Sequence, residues 1–153
     1  MTFGNLNVSA LLKTTALAAV LSSVANAILT AIGWQWSLPP ASFGPYQYSA
    51  VVGLTVLGVL GAGAVYAFLR YRYTDPRVAN RYFIYIAIAT LLVSFYPDLA
   101  MPWSSDADQV GWTYGIMGNL MLMHVVAAAI VTWMLVRLPA VRAAVPQGTA
   151  QVA

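Results

Sequence analysis

The chain has 153 residues, 61% of them hydrophobic and 7% charged, where an average soluble domain carries roughly 25% charged residues. A net charge of +3 with no basic stripe of interleaved aromatics excludes a nucleic-acid surface, and the lack of cysteine excludes disulfide scaffolds, thiol catalysis and cysteine-ligated metals. What is left is a chain whose few charges sit in the gaps between long apolar runs.

The first run extends from about Ala10 to Trp34, longer than the roughly 20 residues that cover a ~30 Å hydrocarbon core as helix. Lys13 lies near its start, ahead of an apolar stretch ending in Ala25-Asn26-Ala27, which has the small-x-small form of a signal-peptide cleavage site. The run continues unbroken through Ile28, Leu29 and Ile32, so a retained helix is expected; cleavage would leave three spans. Ala19, Ser23 and Ala27 recur every fourth residue and form a small-residue face. The connection from Gln35 to Gln47 is uncharged and is broken by Pro39-Pro40 and Gly44-Pro45.

The second run spans Tyr48 to Leu69. In it Gly58, Gly61, Ala62 and Val65 define a face on which another helix can approach closely, within the chain or from a second copy. The string from Gly58 to Gly63 is not a nucleotide loop, because no strand precedes it. Arg70, Arg72, Arg77 and Arg81 follow against one acid, Asp75, with a turn at Asp75-Pro76. The third run spans Tyr82 to Ala100, and a connection carrying Asp106 and Asp108 leads to the fourth, Thr113 to Val136. Arg137 and Arg142 follow, Pro139 stops the helix, and residues 146–153 read as a disordered tail of a single membrane domain.

The arginine-bearing connection and the C-terminal tail hold six of the seven Lys and Arg residues, which places both in the cytoplasm. The expected architecture is therefore all-α: four transmembrane helices in an antiparallel bundle of the cytoplasmic membrane, both termini inside. Trp34, Trp36, Trp103 and Trp112 cluster at the outer connections, where amphipathic rings favour the headgroup region.

The residues that point to function are polar ones at membrane depth. His124, the sole histidine, lies near the middle of the fourth run. Ionisable groups there are costly and usually face the bundle interior. At ~1.5 Å rise per residue, Asn26, Thr55, Ser94 and Asn119 each fall slightly outward of their span centres, one per helix, with Asp98 above them. This predicts a polar vestibule in the outer leaflet floored by His124, which is met by at least one of Asn26, Thr90, Ser94 or Asn119. Such residues also hydrogen-bond simply to hold membrane helices together, so a purely structural layer stands beside the vestibule reading.

No metal or cofactor is expected: haem would lack a second histidine, and zinc would have only His124 and four aspartates. The chain has no glutamate, and Ser22 and Ser23 lack a base at helical spacing. Asp98 and His124 could act as an acid and base pair, but straight helices separate them along the membrane normal.

The segments Asn80-Arg81-Tyr-Phe, Ser94-Phe-Tyr-Pro97-Asp98 and Asn119-Leu-Met-Leu-Met-His124-Val-Val-Ala-Ala-Ala resemble a bacterial family of small four-helix membrane proteins known only as a domain of unknown function. The resemblance covers nearly the whole chain. It implies a four-span bundle with His124 at the family's histidine position, and no established activity. Two functions follow as expectations. One is a non-enzymatic binding or accessory protein whose vestibule holds a small lipophilic ligand, a second copy or a membrane partner subunit. The other is a small transporter or proton-coupled protein that uses His124.

Overall fold

A computed structural model describes residues 2–3 and 6–137. Thr2–Phe3 (β1) and Leu6–Asn7 (β2) form a minimal antiparallel pair, and the other regular elements among the described residues are helical. The first helix, α1 (Val8–Ser37), begins where the Asn7 side chain accepts the Ala10 N–H at 3.0 Å. It ends at Leu38, which takes a left-handed conformation (φ 43°), ahead of the two prolines that block continuation.

α2 (Tyr48–Arg72) follows, then α3 (Pro76–Ser94), whose first turn is set by Pro76 and by the Asp75 carboxylate accepting the Arg77 N–H at 2.8 Å. A short α4 (Tyr96–Ala100) resumes after a break at Phe95. The break has a local cause: Pro97 has no N–H, so the Val93 carbonyl loses its regular helical donor. α5 (Tyr114–Arg137) begins with Thr113 Oγ1 accepting the Ile116 N–H at 3.2 Å. Four stretches, Val8–Ser37, Tyr48–Arg72, Pro76–Trp103 and Tyr114–Arg137, are long and apolar enough to cross a membrane. The third is longer than its apolar run suggests, because the cap at Asp75 starts the helix six residues before Tyr82. The expected stop at Pro139, Arg142 and the tail at 146–153 lie outside the described residues.

α1 lies between α2 and α5, and α3 packs against the flank formed by α2 and α5. At the arginine-bearing end the core holds Leu11, Ala18, Val59, Tyr66, Phe83 and Leu135. At the opposite end Phe43, Tyr46, Val51, Met101, Ile116 and Met123 form a second core, built largely on the loop between α1 and α2.

Within the chain, close approach on α2 falls at Gly63 rather than at Gly58 or Gly61. A Cβ added at Gly58 or Gly61 would meet nothing within 4 Å, whereas one at Gly63 would lie 2.8 Å from the Thr15 side chain. Helix geometry explains the difference. Val59, Gly63, Tyr66 and Arg70 are buried at helical spacing, and Gly61 sits about 200° round the axis from Gly63. Ala62 and Val65 do pack at the edge of the buried face. Of the matching α1 face, Ala19 is buried, while Ser23 is half-buried and its Oγ has no hydrogen-bond partner. At the same end Tyr66 donates to Asn80 Oδ1 at 2.9 Å and accepts from Arg70 Nη1 at 3.5 Å, so Arg70 is a buried helix residue rather than a loop cation.

Candidate functional site

Three of the four polar residues expected to line one layer face the centre of the bundle and are used there. Asn26 donates through Nδ2 to Thr55 Oγ1 at 2.9 Å, and Thr55 donates to the Val51 carbonyl at 2.7 Å, so one hydroxyl links α1 to α2. Thr30, fully buried, donates to the Asn26 carbonyl at 2.8 Å. Asn119 Nδ2 donates to the Leu29 carbonyl at 3.0 Å and to the Tyr46 hydroxyl at 2.7 Å, tying α5 to α1 and to the loop before α2. Gly33 makes this approach possible, since a Cβ there would collide with Asn119 and Tyr46.

Tyr46 belongs to the turn Gly44–Tyr46 outside the long helices. Burial pushes its phenol above the usual tyrosine range, with hydrogen bonds to Asn119 and Ser37 pulling the other way. Sequence reasoning missed this residue. Its signal was an aromatic directly after Gly44-Pro45 in an uncharged loop, which marks a turn folded onto the bundle rather than left in solvent.

The fourth residue does not join them. Ser94 donates back to the Leu91 carbonyl of its own helix at 2.7 Å, and Thr90 faces outward. His124 is hydrogen-bonded to none of Asn26, Thr90, Ser94 or Asn119 among the described residues, and its ionisable neighbour is Asp98 instead. Its neighbour Met123 is buried toward Thr30, and the roughly 100° step per residue turns the imidazole to the α3–α4 side of α5.

There His124 Nε2 lies 3.3 Å from Asp98 Oδ2, the single ion-pair contact among the described residues. The sequence expectation that the two are too far apart fails at the Phe95 break. Leu91 and Val125 line a common groove, so a straight helix would carry Asp98 about 9 Å outward of His124 by residue rise. The regular helical bonding is instead interrupted at Phe95, and α4 beyond it packs on α5.

The pair is asymmetric, with the His124 side chain 41% exposed and that of Asp98 only 7%. Although the distance is short, the imidazole N–H is not aimed along it, and Asp98 Oδ2 is buried without an aligned hydrogen-bond donor. The Phe95 ring stands edge-on to the imidazole with centroids 6.3 Å apart. Directly inward of the pair lies an apolar groove of about 210 Å³ between α3 and α5, lined by Ile84, Ala87, Leu91, Val125, Ala128 and Thr132 among others. No cluster of three or more metal-ligating side chains exists among the described residues.

A family model matches residues 6–140, a stretch that includes all four long helices, Asp98 and His124. The chain belongs to DUF6069, a family of unknown function. No curated protein and no solved structure matches it.

Proposed function

We propose that this chain is a multi-pass protein of the cytoplasmic membrane, with both termini inside, that binds a small lipophilic molecule at Asp98 and His124 without catalysing a reaction. The observation that carries the reading is the Asp98 carboxylate, on a side chain only 7% exposed, with one oxygen lacking an aligned donor beside a half-exposed imidazole. A carboxylate in such surroundings is costly unless something completes its hydrogen bonds. Among the central polar groups Asn26 Oδ1 is also buried without a donor, but it is an uncharged amide oxygen, and Asn26, Thr55, Asn119 and Tyr46 hold helices together through their other bonds.

His124 is the sole histidine, so its two imidazole nitrogens give a histidine signal in lipid with no overlap from another histidine. Saturable shifts of that signal on adding dodecylamine, dodecanol or dodecanoate are expected for at least one of the three, and none from any of them would end the binding reading. A second reading, proton coupling, draws on the same acid and base contact. A His124 signal that does not titrate between pH 5 and 8 counts against it. For the orientation, cysteines placed singly at Ser42 and Ser105 should label from outside intact cells, and one at Val78 should not. Labelling at Val78 would overturn the four-span model.

A further inference from the structure

Building on the binding reading above, we infer that the site takes a long-chain amphiphile with a protonated amine head, the head on Asp98 beside Phe95 and the tail in the α3–α5 groove. The pair lies beyond the groove's end rather than in its lining. On one wall Leu91 leads at helical spacing to Phe95 and then to Asp98; on the other, Ala128 and Val125 lead to His124. Asp98 stands at the head of this track with a buried oxygen lacking an aligned donor. An ammonium group brings both the missing donor and a compensating charge, and a charge-assisted bond in a dry site is the strong kind. The Phe95 ring adds an aromatic surface of the sort that favours cations.

The tail follows from the lining, which is aliphatic apart from Thr132. A partner helix, about 10 Å across with its side chains, does not fit a groove of about 210 Å³ between helices already in contact, whereas an alkyl chain does. An anionic head would meet the Asp98 carboxylate with like charge, and an alcohol would bring one donor and no charge. The half-exposed His124 side chain marks the entrance as lateral, from the bilayer.

The three probes named above, titrated against the His124 nitrogen signal in phosphatidylcholine nanodiscs, test this. Dodecylammonium should bind at least tenfold more tightly than dodecanol, and dodecanoate should not saturate. Asp98→Asn should weaken dodecylammonium at least tenfold, to the level of dodecanol, while Asp98→Glu retains a preference for the amine. Ala128→Phe, which fills the groove, should weaken dodecylammonium and dodecanol alike. If Asp98→Asn fails to fold, the probe ranking and Ala128→Phe still decide. Equal or tighter binding of dodecanol or dodecanoate, or dodecylammonium affinity unchanged by Asp98→Asn, would overturn the amine assignment while leaving the binding reading intact. A change of oligomeric state in Ala128→Phe with dodecylammonium affinity unchanged would place a second copy in the groove and overturn the tail assignment. Silence from all three probes would remove the binding reading itself.

Discussion

The two flanks of α5 are built differently. Toward α1 its polar side chain, Asn119, makes two hydrogen bonds across the bundle, and Met123 packs beside a buried Thr30. Toward α3 and α4 its polar side chain, His124, is half-exposed against a carboxylate with an unsatisfied oxygen, and below it lies a groove rather than a seam. The helices on the two sides differ in the same way: 33% of the most apolar stretch of α1 is buried, against 11% for the span Pro76–Trp103. Polar groups at similar depth can thus serve opposite ends. Where partners converge from three segments they fix the fold, and where one helix stands off they are left available.

If the closed side is as tight as its contacts imply, overpacking it should produce the largest effect. Gly63→Ile drives a branched side chain into Thr15 and should cost at least 1–3 kcal/mol, read as a clear fall in the thermal midpoint in detergent. Gly58→Ile and Gly61→Ile, on the outward face of the same helix, should stay within about 0.5 kcal/mol. Loss of an oligomer in either, with the monomer's stability unchanged, would locate a second copy on that face.

Removing a polar tie should come next. Asn119→Leu deletes the bonds to the Leu29 carbonyl and the Tyr46 hydroxyl and should cost about 1–2 kcal/mol, whereas Thr90→Leu on the open side should be silent. Equal effects would erase the contrast between the flanks.

Tyr46→Phe removes one partner of the Asn119 bond and should cost about 1 kcal/mol near neutral pH. It also carries a pH signature. Burial raises the phenol's folded pKa, so below pH 10 both folded and unfolded states are protonated and the contribution is fully present. Above pH 10 the unfolded chain ionises first, and stability falls until the folded phenol also titrates. Denaturation between pH 9 and 11 should show a shallower alkaline loss in Tyr46→Phe than in the parent.

The number of helices was legible because apolar run length and loop charge report directly on it, and His124 and Asp98 stood out as ionisable groups where they are costly. Which face of α2 packs was not legible. Gly58 and Gly61 satisfy the small-residue rule as well as Gly63 does, and only the position of Thr15 on a neighbouring helix separates them. Depth arithmetic also failed at one identifiable place. It set Asn26 level with Thr55, both on unbroken helices, but it ran a straight axis through Phe95, where the helical hydrogen bonds are interrupted, and beyond that point Asp98 lies against His124. A proline one turn from a helix end is a warning that residue rise should not be carried across it.

The smallest expected effect separates the two views of Ser94. As one wall of a polar vestibule it would touch the ligand, and Ser94→Ala would weaken amine binding. In the structure its hydroxyl is spent on the Leu91 carbonyl of its own helix, a local bond that contributes little to a helix already formed. Ser94→Ala should therefore leave stability within about 0.5 kcal/mol and the response of the His124 signal to dodecylammonium unchanged. A severalfold loss of affinity with stability intact would show that the hydroxyl turns toward the bound head, and the boundary between the closed and open flanks of the bundle would then have to be redrawn through α3.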